Sequence, residues 1–141
     1  MTNRSHILGL PEIHRGSAGE TITKPDGTRV RYCLFDEYEV HYNELPAGVR
    51  QAWHHHEQVE EAICVTDGQV TLHWIDDGGG QQATTLDRGD LVRLGTAPHT
   101  LENQSTSTAQ FVVVKTVPSG GGHRETFLTD KFLDNPPGSP S

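Results

Sequence analysis

Apolar and polar residues alternate along short stretches of this sequence, a pattern typical of β-strands that bury one face. The clearest case is the segment 69–75, QVTLHWI, in which Val70, Leu72 and Trp74 share one face. Similar segments recur at short spacing, and one short helix is predicted at 125–132. The predicted strands are 29–35, 37–45, 51–56, 61–66, 69–75, 81–87, 91–94, 100–104 and 110–117.

Turn-forming residues separate these strands. The segment 66–69, TDGQ, predicts a tight hairpin because Asp-Gly tolerates positive φ. Many short strands without a helical scaffold predict an all-β fold, either a closed barrel or a two-sheet jelly roll. We expect a barrel at 29–118 between two extensions. These are an N-terminal arm at 1–28, which could exchange between the subunits of a dimer, and a C-terminal extension at 119–141 with a disordered tail, NPPGSPS.

Composition and charge narrow the choice of partners. A chain of 141 residues suits one domain, and its 15 glycines fit short strands and tight turns better than long helices. The formal net charge of −8 argues against nucleic acid or an anionic membrane as a partner, since both require basic patches. The N-terminal residues lack the apolar stretch of a secretion signal, so a cytoplasmic location is expected.

The segment 53–56, WHHH, raises the question of a metal site. On a strand, His54 and His56 point to one face and His55 points to the other. Two imidazoles on the same face can both reach one ion. The alternative is a solvated surface strand, on which the same three histidines would have no ligand.

A carboxylate follows these histidines within a few residues. Strict alternation would place Glu61 on the opposite face from His56, but a bend at 57–59 would reset the register. Glu61 would then begin the next strand on the face of Ile63. A further candidate, His99, ends a tight loop, and spacing alone does not place it beside the others.

Residues 48–68 resemble the first motif of the cupin family, G-x5-H-x-H-x3,4-E-x6-G. The segment reads GVRQAWHHHEQVEEAICVTDG, and it matches every spacing of the motif. The residues at the motif positions are Gly48, His54, His56, Glu61 and Gly68. A match at five positions is far more specific than an isolated pair of histidines.

The second cupin motif, G-x5-P-x-G-x2-H-x3-N, is matched at its ends by Gly89, His99 and Asn103. Its middle departs from the family pattern. Gly95 stands where proline is expected, Ala97 stands where glycine is expected, and the loop is one residue short. The resemblance is therefore weaker around His99 than around the residues of the first motif.

The resemblance covers residues 30–118 and implies a double-stranded β-helix jelly roll, as in the small single-domain metal-binding cupins with a type 2 conserved barrel, which are commonly homodimers. In metal-binding cupins the matched positions hold one divalent transition-metal ion, often iron, manganese, nickel, copper or zinc. The matched positions here are His54, His56, Glu61 and His99. Three imidazoles and one carboxylate suit such borderline metals better than calcium or magnesium.

Three functions follow from this resemblance. The leading expectation is a mononuclear metal-dependent oxidoreductase of the dioxygenase type, acting on a small enolisable or phenolic molecule. The second is a non-redox cyclase, isomerase or lyase that uses the same ion. The third is a cupin that binds a small ligand without catalysis. No residue is assigned as the general base.

Overall fold

The computed structural model of the protein describes residues 9–119 and 123–137. These residues form eleven strands, one short α-helix, α1 (His123–Thr129), and a 3-10 turn at Gly16–Ala18. The strands are β1 (Thr21–Thr23), β2 (Arg29–Leu34), β3 (Tyr38–Leu45), β4 (His54–His55), β5 (Glu60–Asp67), β6 (Gln69–Ile75), β7 (Gln81–Asp87), β8 (Leu91–Arg93), β9 (His99–Glu102), β10 (Ala109–Thr116) and β11 (Phe132–Leu133). Within these residues, no helix has the length and apolar character needed to cross a membrane.

The strands form two antiparallel sheets. One has six strands in the order β1-β2-β3-β10-β5-β8, and the other has five strands in the order β11-β4-β9-β6-β7. Strands that are distant in sequence pair side by side, as β3 does with β10 and β4 with β9. The prediction of an all-β jelly-roll barrel is therefore confirmed.

The core lies between the two sheets and is built by the period-2 pattern of their strands. Along β10 the exposed fraction is 1% for Phe111 and 5% for Val113, whereas it is 38% for Val114. Alternation alone does not show which set of β10 residues faces inward, and the structure places Phe111 and Val113 inside. The buried cluster consists of Leu45, Ile63, Val65, Val70, Leu72, Leu86, Leu101, Ala109, Phe111 and Val113.

The predicted hairpin at 66–69 is wrong. The two strands that flank it, β5 and β6, lie in different sheets, so the chain crosses from one sheet to the other at this turn. Gly68 has a φ of +74°, and a Cβ added there would lie 3.1 Å from the Cα of Ala109. The Asp-Gly pair does mark a sharp turn, but long-range pairing with β10 and β9 decides the partner of each strand.

Predicted element bounds also need correction at two places. The strand predicted at 51–56 is reduced to β4, because only His54 and His55 keep ladder pairing, both with β11 and His54 also with β9. The helix predicted at 125–132 begins and ends earlier, because the chain turns after Thr129 to add β11 to the edge of the five-stranded sheet. Tertiary pairing has overridden local preference in both cases.

The two extensions both contribute strands. In the N-terminal arm, β1 pairs with β2 of the same chain. Exchange of this arm in a homodimer stays a prediction. In the C-terminal extension, β11 pairs with β4. The end of the predicted disordered tail, 138–141, lies outside the described residues.

Candidate metal centre

Four sequence-predicted side chains meet inside the barrel. His54 on β4 lies directly opposite His99 on β9, and Glu61 reaches them from β5 of the other sheet. Donor atoms from these three residues all lie within 4.8 Å of one another. The Nε2 atoms of His56 and His99 each lie 3.4 Å from a carboxylate oxygen of Glu61. Ligands that sit about 2.0–2.1 Å from a shared ion are separated by roughly 3–4 Å, so this spacing could hold a metal.

Each of the three histidines is oriented by a hydrogen bond from its Nδ1 atom to a backbone carbonyl. The acceptors are the carbonyls of Ala52, Asp130 and Ala97, at 2.8, 2.5 and 2.9 Å for His54, His56 and His99. These bonds fix the tautomer and leave every Nε2 facing the cluster, which is the arrangement that metal-bound imidazoles use.

One atom of the cluster is otherwise unexplained. His56 is 2% exposed, and among the described residues no group forms a hydrogen bond with its Nε2 atom. A buried ring nitrogen without a partner costs free energy, unless it binds something else. A metal ion would satisfy this atom, so the donor set and its geometry both fit a metal.

Electrostatics set the protonation states that a metal requires. Burial opposes ionisation of Glu61, but the His56 and His99 imidazoles and the Lys115 ammonium outweigh it, so its pKa lies well below the usual range. Burial, followed by the nearby His99, lowers the pKa of His54 to about 3. At neutral pH the cluster therefore offers an ionised carboxylate and a neutral imidazole.

The bend that brings Glu61 onto the same side as His56 is held by Asp130. Its carboxylate accepts hydrogen bonds from the backbone N–H groups of Glu57, Gln58 and Val59 at 3.1, 2.8 and 2.7 Å. The sequence predicted a bend at 57–59, and it missed the residue that stabilises it. An isolated acid just after a helix carries no local signal that it will cap a loop some 70 residues away.

His99 reaches the site although the second motif departs from the family pattern. Gly95, where proline was expected, has a φ of +63°, which proline cannot adopt, so the shortened loop takes a different path. β9 nevertheless begins at His99 in register with His54. Asn103 has a structural role, because its amide donates to the carbonyl of Leu45 at 2.8 Å.

His55 lies on the opposite side of β4, as predicted. Its Nδ1 pairs with Asp134 at 2.9 Å and its Nε2 with Glu57 at 3.1 Å, and its ring stacks on Phe132. Asp134 first and then Glu57 raise the pKa of His55. This side chain joins β4 to the C-terminal extension and does not face the candidate ligands.

The His55–Asp134 pair predicts a pH-dependent contribution to stability. Because folding raises the pKa of His55, its contribution is fully present below the unfolded value, about 6.5, and is lost as the pH rises through the folded value. We expect Asp134→Asn to lower Tm by roughly 2–4 °C at pH 5.5 and by less than half of that at pH 9. Thermal unfolding followed by circular dichroism at both pH values measures this difference, and an equal decrease would contradict it.

A small cavity of about 40 Å³ adjoins the candidate ligands. Its wall includes His41 from β3, a histidine that lies outside both cupin motifs. The Nε2 atom of His41 lies 2.9 Å from Glu39 Oε1, and Arg124 of α1 holds the other oxygen of Glu39 at 2.7 Å. Glu39 and His41 are both buried, at 6% and 7% exposure. A carboxylate-oriented imidazole therefore faces the same space as the candidate ligands.

Comparison with known proteins agrees with this fold. A sugar phosphate isomerase of the cupin superfamily from Silicibacter pomeroyi is 22% identical, with a TM-score of 0.61 over 75% of each chain. The polyketide cyclase RemF from Streptomyces resistomycificus is 19% identical, with a TM-score of 0.63 over 76% of this chain and 79% of that one. Oxalate decarboxylase from Bacillus subtilis is 17% identical, with a TM-score of 0.66 over 83% of this chain and 30% of that one.

At these identities the likeness to solved structures shows the fold. No curated protein sequence matches the chain significantly. The family model described as the cupin domain matches residues 41–115, more than half of the chain, and this range contains all four candidate ligands. The protein belongs to the cupin domain family.

Proposed function

We propose that the protein is a mononuclear metal-dependent enzyme that moves a proton on a small enolisable or phenolic molecule. One observation carries this proposal. His41, held by Glu39, lines the same cavity as three of the candidate ligands, His54, Glu61 and His99. A proton acceptor and a candidate Lewis-acid site thus face one bound molecule.

His54, His56, Glu61 and His99 would hold one first-row transition ion, drawn from iron, manganese, nickel, copper and zinc. Such an ion supplies a Lewis-acid centre that stabilises negative charge developing on a substrate oxygen. The protein contributes the fixed orientation of each imidazole and the ionised state of Glu61.

His41 is suited to accept a proton. Burial lowers the pKa of His41, and Lys115 adds to this effect, although the hydrogen bond that the ring donates to Glu39 opposes it, so the ring is neutral at pH 7. Glu39 engages Nε2, and Nδ1 is therefore the nitrogen that can exchange a proton with a bound molecule. The contact of Arg124 with Glu39 keeps the carboxylate in place through this exchange.

The step that these residues support is balanced without an oxidant. A carbon–hydrogen bond next to the substrate oxygen breaks, its proton moves to His41 Nδ1, and the electron pair remains on the substrate as an enolate. Return of the proton to a different carbon gives an isomerisation, and attack of the enolate on a second carbonyl gives a cyclisation. The pocket therefore favours isomerase, cyclase or lyase chemistry.

A dioxygenase is the second candidate function, and the number of candidate ligands favours it. Four protein ligands on a six-coordinate ion would leave two positions, which is enough for a substrate oxygen and dioxygen. The candidate donors His54, Glu61 and His99 come from both sheets and line one cavity, in which a substrate and dioxygen could both be held. Consumption of dioxygen separates the two candidates.

The experiment measures hydrogen exchange and dioxygen together. Protein reconstituted with zinc or manganese is incubated in D₂O with a panel of 2-oxo acids, hydroxyketones and phenols. We expect deuterium to enter a carbon position without dioxygen uptake, and His41→Gln to slow this exchange by about 100-fold or more at unchanged metal content.

His73→Gln is the matched control, because His73 also pairs with a carboxylate, Glu102 at 2.9 Å, but does not line the cavity. This variant should keep full exchange activity. Uptake of one dioxygen per turnover would instead support the dioxygenase. A metal-bearing protein that shows neither reaction would favour the binding cupin and reject catalysis.

A further inference from the structure

All three lysines of the sequence line one cavity. Lys24 comes from the turn after β1, Lys115 from β10, and Lys131 from the segment between α1 and β11. They are far apart in the chain, and no local pattern groups them. The same cavity is lined by the candidate metal ligands His54, Glu61 and His99.

The charge of this cavity opposes the charge of the chain. The protein carries a formal net charge of −8, yet here three ammonium groups outnumber the two carboxylates of the wall, Asp26 and Glu61. A divalent ion at the candidate site would make the excess larger. A positive cavity in an acidic protein concentrates small anions that the rest of the surface repels.

Lys115 has a partner within the wall, and Lys24 and Lys131 line the same cavity. Lys115 Nζ lies 3.4 Å from Glu61 Oε2. Burial, and then the other lysines, lower the pKa of Lys24, and burial followed by Lys115 lowers the pKa of Lys131. Like charges held together at a partly desolvated site cost free energy, which a bound anion would recover.

We propose that Lys24, Lys115 and Lys131 form a subsite for a second anionic group of the substrate, a carboxylate or a phosphate. One end of such a substrate would carry the oxygen that binds at the candidate metal site. The other end would carry the second anionic group, next to the three lysines. This inference rests on the proposed function for the substrate oxygen that binds at the candidate metal site. The subsite itself rests on the cavity and its charges alone.

The volume of the cavity limits the size of the molecule. A cavity of about 40 Å³ can hold only a small molecule, unless side chains move. A short dicarboxylate fits this limit better than an extended phosphorylated sugar. Malonate is therefore the first probe, because it carries two carboxylates. Inorganic phosphate tests whether the subsite prefers a phosphate, and acetate is the control with a single carboxylate.

Isothermal titration calorimetry of the zinc-loaded protein with these three probes tests the proposal. In the double variant Lys24→Met, Lys131→Met, the affinity for malonate should fall by about tenfold or more, and the affinity for acetate should change by less than about twofold. Lys115 is left in place because it contacts Glu61. The matched control is Arg15→Met, Arg88→Met, which removes the same charge from exposed positions outside the cavity.

The results separate this subsite from the proposed function. If the double variant loses more affinity for phosphate than for malonate, the subsite is assigned to a phosphate group. If it loses more affinity for malonate, the subsite is assigned to a carboxylate. Equal affinities in the variant and the wild type would overturn the proposal. If the wild type takes up no zinc, the proposed function fails, and the same titrations on the metal-free protein still test the lysines.

Thermal unfolding without anions gives a second readout. If the lysines serve an anion, removing Lys24 and Lys131 relieves like-charge repulsion, so Tm should stay the same or rise. A purely structural role for these side chains would lower Tm and would not distinguish malonate from acetate.

Discussion

Replacing His54 and His56 together with alanine is expected to abolish metal binding by this protein. His54 lies on β4 and His56 lies just after it, and both side chains point toward the cluster. Each imidazole is oriented by a hydrogen bond to a backbone carbonyl. Their loss would leave only Glu61 and His99, too few donors for a tight transition-metal site. Elemental mass analysis of tag-free protein should give near one equivalent in the wild type and below about a tenth in the variant.

The matched control for this experiment lies between the two histidines. His55 is adjacent in sequence to both, but it pairs with Asp134 and Glu57 on the other side of the strand. The His55→Ala variant should therefore retain the full equivalent of metal. Equal metal loss in both variants would point to general disruption of β4, and absence of metal from the reconstituted wild type would reject the metal centre.

The identity of the metal directs the choice between the two reaction classes. Iron, nickel, copper or manganese in the wild type would support testing for dioxygen chemistry. Zinc alone would favour the proton-transfer reaction, with the condition that zinc displaces weaker binders during purification. Reconstitution with each metal separately removes this ambiguity.

Replacing Asp130 with alanine is expected to cause the second largest effect, and it should weaken both the fold and the candidate site. The carboxylate accepts three backbone hydrogen bonds from the bend between His56 and Glu61, and Asp130 is 5% exposed. Burial by itself would raise the pKa of Asp130, but the three backbone N–H donors have the larger effect. The pKa is therefore lowered, and the carboxylate is ionised at neutral pH. We expect a loss of about 2–4 kcal/mol in the free energy of unfolding.

Metal affinity should fall by roughly 10- to 100-fold in the same variant, because the bend would no longer hold His56 and Glu61 in register. Urea unfolding measures the stability change, and competition with a chelator measures the metal Kd. Asp130→Asn keeps the shape of the side chain and one acceptor oxygen, so it should fold and give an intermediate affinity.

Asp134→Ala is the control for the Asp130 variants. Asp134 lies in the same C-terminal segment and also contacts the region of β4, but its partner is His55, which faces away from the cluster. This variant should bind metal as the wild type does. Unchanged metal affinity in Asp130→Ala would show that the bend does not depend on the C-terminal extension.

The local sequence was sufficient to predict the class of fold and half of the candidate site. Alternation places Val70 and Leu72 on one face whatever the remainder of the chain does, because the backbone of a strand has a period of two. The same rule separates His55 from His54 and His56. Strand alternation alone would put Glu61 on the opposite face, and the resemblance to the first cupin motif, with a bend at 57–59, places it beside His56.

Other features depend on pairing between distant segments and could be seen only in the folded chain. The register of β4 with β9 sets His54 opposite His99, and the crossing of the chain at Gly68 separates β5 from β6. Local preference at a turn does not choose between neighbouring strands of similar pattern. The total pairing energy of two sheets makes that choice.

The sequence by itself determined that residues alternate between the two faces of each strand and that His54 and His56 share a face, since both follow from backbone geometry over a few residues. The resemblance to the second cupin motif indicated His99, and the tertiary structure places it opposite His54. The tertiary structure alone decided which face of β10 is buried, that Asp130 holds the bend, and that the three lysines meet in one cavity. These contacts join residues that are far apart in the chain. Their formation depends on closing long loops against the packing of the whole barrel, and that balance has no local signature.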